Sequence, residues 1–262
     1  MAIPAERWHD ALKKRHSVRG YRDVSLDSPM MESLRKVCAD FSMEGVQAVI
    51  VTEHVKDVFR GVIGPYGMVK GAPLYVAMIG DGKDPHADER IGYAGEAVVL
   101  EMTALGLGTC WIGGLFDPKA VLKVLTLNEG ERIPAVIPLG FPAEKPSFDD
   151  TLLKTMAKSH TRKDLDSLVS GMNRSDWPLW VKTALEAARI APSALNRQPW
   201  RFIVEERCIT VTTDEGKEHH PLSKRLDCGI AMLHLEVGAR MEGAEGRWEY
   251  LDVPAVARYR LL

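Results

Sequence analysis

The sequence has few cysteines, no long apolar run and almost no net charge, and each shortage closes off a class of protein. Its four cysteines, Cys38, Cys110, Cys208 and Cys228, are scattered through 262 residues with no Cys-x-x-Cys spacing. A disulfide framework or zinc ribbon needs paired spacing, so these four, each among apolar neighbours, are expected to be reduced core residues. The longest apolar stretches, Ala72 to Ile79 and Ile133 to Leu139, are of strand length and well short of the ~20 residues that cross a bilayer. Pro4, Glu6, Arg7 and Asp10 stand where a secretory leader needs an uninterrupted apolar core, and a cytoplasmic protein is expected. The formal charge of −2, with 34 basic and 36 acidic residues intermixed, builds neither a nucleic-acid face nor a polybasic membrane anchor. A small molecule is the expected partner, with no nucleic acid and no membrane. His219-His220 lacks cysteine or carboxylate partners at ligand spacing, so no metal is expected. A separate dinucleotide fold is not expected either, because in Gly106-Leu107-Gly108 the third glycine of Gly-x-Gly-x-x-Gly is replaced by Trp111.

What the chain does have begins at Arg15-His16-Ser17-Val18-Arg19. In an extended segment, side chains at 15, 17 and 19 share a face, and two guanidinium forks with a hydroxyl between them suit a phosphate. The same residues extend Lys13-Lys14 into a basic run, and such runs are commonly solvated faces. Both readings stand at this point.

The chain is long enough for one large domain or two small ones. Pro4 to Lys14 carries Trp8, Ala11 and Leu12 at helical spacing. A second helix is expected after Ser28-Pro29, read as cap and first-turn proline, ending near Phe41. Val46 to Thr52 and Leu74 to Ile79 are β-branched, turn-bounded runs and are expected as buried strands. Tyr93 to Leu107 is apolar or small on nearly every side of a helical wheel, the pattern of a helix buried all round, with Gly106 and Gly108 ending it. The glycines of Thr109-Cys110-Trp111-Ile112-Gly113-Gly114 fit a close backbone approach to a ligand or an ordinary tight connection. Further elements are expected at Pro118 to Leu125 (helix), Ile133 to Leu139 (strand), Leu179 to Ala191 (helix), Phe202 to Val204 (strand), a hairpin at Asp214-Glu215-Gly216, Asp227 to Met241 (buried helix) and Arg247 to Leu251 (terminal strand). Between Ala143 and Asp176 alternating charges replace large apolar residues. The expected organisation is residues 1–142 as one half, 143–176 as a crossing segment and 177–262 as a second, shorter half. A faint echo between Ala94-Gly95-Glu96-Ala97 and Cys228-Gly229-Ile230-Ala231 fits either chance, Gly-x-Ala being common in helix openings, or two related halves fused head to tail.

Three segments together resemble a known family. Arg15-His16-Ser17-Val18-Arg19-Gly20-Tyr21 resembles the Arg-x-Ser-x-Arg signature of the FMN-dependent nitroreductase superfamily. Ala191-Pro192-Ser193-Ala194-Leu195-Asn196-Arg197-Gln198-Pro199-Trp200 is similar to its Ala-Pro-Ser-x-x-Asn-x-Gln-Pro-Trp signature. Leu105 to Gly114, with Ile137 to Pro142, is similar to its flavin-side glycine segment and following strand. In most of the superfamily the Ala-Pro-Ser signature lies one helix after the first motif and reaches across a dimer interface; here Val37 to Gly45 fills that position and the signature lies in the second half. This resembles the group in which one chain mimics the usual dimer. The resemblance implies an α+β, nitroreductase-like fold with central mixed or antiparallel sheets flanked by helices, two related halves forming an intrachain pseudo-dimer, and one flavin site per chain. A monomeric pseudo-dimer is expected, with further assembly left open.

By the same resemblance, Arg15, Ser17 and Arg19 would hold the FMN phosphate with His16 nearby, and Arg162 and Lys163 would close the phosphate end. Pro192, Ser193, Asn196 and Gln198 would line the flavin from the opposite wall, and Gly113 and Gly114 would lie along the ring. NADH or NADPH would be the electron donor and a nitroaromatic, quinone or similar molecule the acceptor, with no side chain acting as nucleophile. The other reading is a flavin-binding protein or carrier of the same fold without nitroreductase turnover.

Overall fold

The computed structural model of the chain describes residues 3–43, 45–60, 69–144, 161–216 and 223–262. His219-His220 and residues 145–160 of the charged segment lie outside the described residues. The chain groups into two compact units, one of Lys14–Ala87 and Ala94–His160, the other of Ala2–Lys13, Asp88–Tyr93 and Thr161–Leu262. Neither is continuous in sequence, as composition would have it. Helical periodicity marks the face an element buries, and nothing local marks which core receives it.

Helix α1 (Ala5–Lys14) buries Trp8, Ala11 and Leu12 at the expected spacing. In the first unit, α2 (Ser28–Phe41) is capped by Asp27, whose carboxylate accepts from the Met30 amide at 2.9 Å. Ser28, the cap suggested by the sequence, is instead the first helical residue; an aspartate caps equally well. The buried face of α2 is Leu34, Val37, Cys38 and Phe41. Strand β1 (Val46–Val51) pairs antiparallel with β2 (Leu74–Asp81), with a short helix α3 (Val55–Val58) between them in sequence. The long helix α4 (Ala87–Ala104) is followed by β3 (Gly108–Thr109), β4 (Ile112–Gly113), α5 (Pro118–Val121) and β5 (Glu131–Gly140). The sheet runs β1-β2-β5-β3, with β4 also on β5, all pairs antiparallel. Tyr75, Ala77 and Val136 point into a core shared with Val18, Tyr21, Phe59, Cys110, Ile112 and Phe116. On the alternate side of β2, Val76 and Met78 are fully buried. Each such side chain is worth roughly 1.5–3 kcal/mol, so the sheet is stabilised from both faces.

Helix α4 begins six residues before the expected Tyr93. Its opening residues are acidic and polar, which hides the pattern. Gly106 follows it at φ +80, the left-handed geometry expected of a helix-ending glycine, whereas Gly108 enters β3 instead. The helix carries three buried carboxylates, Glu89, Glu96 and Glu101.

The second unit contains α6 (Leu165–Leu168), β6 (Val169–Gly171), α7 (Leu179–Arg189), β7 (Trp200–Glu205), β8 (Cys208–Thr213), α8 (Lys224–Met241), β9 (Gly246–Tyr250) and β10 (Ala255–Leu261). Its sheet order is β6-β7-β8-β10-β9, with β6 parallel to β7 and the other pairs antiparallel. Two expectations are corrected. The hairpin turns between β7 and β8 at Glu206-Arg207, not at Asp214 to Gly216, since that turn carries none of the glycine, asparagine or proline that marks one. The terminal strand is β10, beyond Pro254, and β9 is its edge neighbour. The mixed and antiparallel sheets with flanking helices are otherwise as expected, and all four cysteines are free and buried. Burial pushes the Cys38 thiol up to about 12 and, first among several causes, the Cys208 thiol up to about 11.

The two units have a similar chain order. In each, a helix precedes two antiparallel strands and an 18-residue helix; the strand that completes the sheet then follows two two-residue strands and α5 in the first unit and the edge strand β9 in the second. Within the second unit the start of α4 crosses α8 at a glycine pair. A Cβ on Gly92 would lie 2.0 Å from the Leu226 carbonyl oxygen, and one on Gly229 2.0 Å from that of Glu89. Each glycine meets the carbonyl one turn before the other. Beside it Arg225 grips Glu89 through two bonds of 2.9 and 2.5 Å, and the Tyr93 hydroxyl donates to Glu236 at 2.6 Å. Gly229→Ala is therefore expected to lower stability by about 2–3 kcal/mol in urea unfolding, overpacking outweighing the better helix propensity of alanine; a gain in stability contradicts this crossing.

Candidate functional site

The segment after α1 runs extended and is sewn in on both sides. The Val18 amide donates to the Thr109 carbonyl at 2.9 Å, Lys70 donates to Arg19 and Tyr21 to Lys70, each at 2.8 Å, and Ala143 donates to Gly20 at 3.0 Å. Glycines make the fit possible. A Cβ on Gly71, which sits at φ +74, would lie 2.3 Å from the Tyr21 carbonyl oxygen, and one on Gly108 would lie 2.8 Å from the Val18 side chain. The Tyr21 hydroxyl lies against the carbonyls of Val18 and Pro138. The backbone of residues 17–21 is thus fixed on two sides before any ligand is considered.

Two guanidinium groups are placed by this segment. The Nε atoms of Arg15 and Arg19 are both buried and neither has a hydrogen-bond partner. Ser17, half-buried, bridges Thr109 between them. The expected alternation is only partial: Val18 turns into the core, while His16 is exposed, its Nδ1 3.1 Å from the Lys14 carbonyl oxygen. The Arg15 side chain is only 9% exposed, and its Nε lies 4.0 Å from Oε1 of Glu96, which is fully buried. Burial lowers the Arg15 pKa, with Glu96 opposing the shift. The other Glu96 oxygen accepts from the Trp111 indole at 2.7 Å. Trp111 can lie against α4 because residue 95 is glycine, whose Cβ would fall 2.2 Å from the ring. Gly113 follows in β4, paired with Ala135, and Gly114 is exposed at φ +71, a conformation that favours glycine.

In the second unit, the Ala-Pro-Ser segment is a tight turn with Leu195, Asn196 and Gln198 at φ of 56, 54 and 48. A non-glycine residue there costs about 1–2 kcal/mol, so the surroundings must hold the turn. Arg162 donates to Asn196 Oδ1 at 3.1 Å and to the Ile190 carbonyl at 3.3 Å. The Lys163 ammonium donates to the carbonyls of Arg197 and Gln198, each at 3.0 Å, and its amide to Gln198 Oε1 at 2.9 Å. Asn196 and Gln198 both donate to the Thr161 carbonyl, and the Gln198 amide to Ser193 Oγ at 2.9 Å. Burial, then the nearby Arg201 charge, lowers the Lys163 pKa. The structure thus brings Arg162, Lys163, Ser193, Asn196 and Gln198 together, with the two cations bracing the turn.

Asp227, at the start of α8, completes this brace. One carboxylate oxygen accepts from the Ala194 amide at 3.0 Å and the other from Arg197 Nε at 2.6 Å. Neither Asp227 nor Glu96 emerged from the motif reading. A signal existed for both: an acid inside a helix otherwise apolar all round must have a partner. Asp227→Ala is expected to cost roughly 3 kcal/mol, as for other broken buried pairs, and to open the bond after Arg197 to trypsin, read by the mass of the fragments. Unchanged cleavage would show that the turn holds itself.

Among the described residues no group of His, Cys, Asp and Glu could hold a metal ion, and no helix is long and apolar enough to cross a membrane. A family model described as "Putative TM nitroreductase" matches residues 8–239. A protein of Methanothermobacter thermautotrophicus named "Putative NADH dehydrogenase/NAD(P)H nitroreductase" is 28% identical over 157 residues, covering 54% of this chain and 80% of that one. A solved structure of a putative nitroreductase from Thermotoga maritima aligns at a TM-score of 0.65 over 97% of this chain and 93% of that one, with 20% identity; the likeness is one of fold. The family match spans both the arginine segment and the Ala-Pro-Ser turn, and the chain belongs to this nitroreductase family.

Proposed function

We propose that the protein is an FMN-dependent oxidoreductase of the nitroreductase type, taking hydride from NADH or NADPH and passing it to a nitroaromatic, quinone or similar electron-poor acceptor. The observation that carries this is the pair of buried, unbonded Nε atoms on Arg15 and Arg19. Burying a guanidinium and leaving a donor unpaired is costly, and a dianionic phosphate accepting from both removes that cost. Ser17, on the same fixed segment, adds a hydroxyl of the right kind.

FMN held there supplies the redox chemistry, its N5 accepting and returning the hydride. The chain's own residues position it. Arg15, Ser17 and Arg19 take the phosphate, with His16 beside them at the surface. Gly113 and Gly114 bring backbone past the ring with no Cβ in the way. Pro192, Ser193 and Asn196 are assigned as further flavin contacts, with Gln198, Arg162 and Lys163 acting through the turn that presents them. The similar chain order of the two units supports the reading of a single chain that imitates a dimer.

Purified protein soaked with FMN is expected to show a flavin absorption band that NADPH bleaches and a nitroaromatic restores. Arg15→Ala or Arg19→Ala is expected to weaken FMN binding by about 1.5–3 kcal/mol, the worth of a charge-assisted hydrogen bond. Full affinity in both variants would retire the phosphate assignment; a band that forms but never bleaches would make the protein a flavin carrier.

A further inference from the structure

We propose that Glu96 is an internal counter-ion for Arg15, neutralising it in the flavin-free protein and weakening the grip on phosphate when FMN binds. The Glu96 carboxylate is fully buried, and its Oε1 lies 4.0 Å from Arg15 Nε. That distance is too long for a hydrogen bond, and Arg15 Nε has none, so the carboxylate compensates the charge without capturing the donor. The Trp111 indole, donating to Oε2 at 2.7 Å, fixes the carboxylate in this position, and Gly95 lets the indole reach it. Charges this close and this poorly hydrated interact far more strongly than in water. Without Glu96 the flavin-free chain would carry a buried, uncompensated cation. With it, an incoming phosphate meets a nearby carboxylate of its own sign.

The pairing is thus a trade between the stability of the empty protein and the affinity for the phosphate end. Glu96 acts through Arg15, which makes it a positioning residue and not a catalytic one. Its effect should follow the phosphate and leave the ring system untouched. The affinity half of the proposal rests on the FMN reading above; the pairing half does not.

Two measurements test it. Thermal unfolding of flavin-free wild type, Arg15→Met, Glu96→Gln and the double variant tests the pairing alone. Glu96→Gln is expected to lower the midpoint and the double variant to recover at least half of the loss; additive losses would overturn the pairing. Flavin fluorescence titrations then compare FMN with riboflavin, which lacks the phosphate. Glu96→Gln is expected to bind FMN about tenfold more tightly, with riboflavin affinity within about twofold of wild type, because only the phosphate senses the lost charge. Equal or weaker FMN binding, or an equal change for both flavins, would overturn the affinity claim. Wild-type protein that binds neither flavin would instead remove the FMN reading, and the unfolding cycle would still decide whether Glu96 pairs with Arg15.

Discussion

Two buried arginine Nε donors on a backbone segment bonded on both sides are the constraint on which this structure depends. A charged group loses its hydration on burial and must recover that loss from partners. For Arg15 and Arg19 the recovery is incomplete, since each keeps a buried Nε with no hydrogen bond. The segment cannot relax to supply one, because its carbonyls and amides are already bonded to Thr109, Lys70 and Ala143 and Gly71 and Gly108 pack directly against it. The two unpaired donors are what the proposed phosphate would satisfy, and the pre-set backbone would leave little ordering to be done when it arrives.

Helix α4 extends the same logic. It is apolar along most of its length, yet its three buried carboxylates each meet a donor chosen by geometry: Glu89 meets Arg225, Glu96 meets Trp111 near Arg15, and Glu101 accepts from Ser33 at 2.7 Å. In the second unit Glu236 on α8 accepts from Tyr93, Trp248 and Arg240. Trp111 and Trp248 both lie in the stretch after an 18-residue helix, and both donate to a carboxylate on it. The entrances differ: the first unit has Arg15 to Arg19 leading into its sheet, and the second has Asp176-Trp177-Pro178 leading into α7.

Much of the fold was legible because burial imposes periodicity. The core strands and the buried faces of α1, α2 and α7 follow from spacing alone. The missed features have physical reasons. The turn at Glu206-Arg207 has no turn-forming residue to announce it, the start of α4 is polar, with Glu89 meeting Arg225 and Arg90 lying over Tyr250, and unit membership depends on contacts that no local window contains. The arginine segment and the Ala-Pro-Ser turn were visible as motifs, whereas the groups that brace them, Glu96 and Asp227, were not. A motif records what faces a ligand; the residues that hold it in place come from distant parts of the chain.

A crystal structure of the protein soaked with FMN tests the central claim most directly. The account predicts phosphate oxygens within hydrogen-bonding distance of both the Arg15 and Arg19 guanidinium groups and of the Ser17 hydroxyl. A phosphate bound elsewhere, with the two Nε atoms still unpaired, would contradict it.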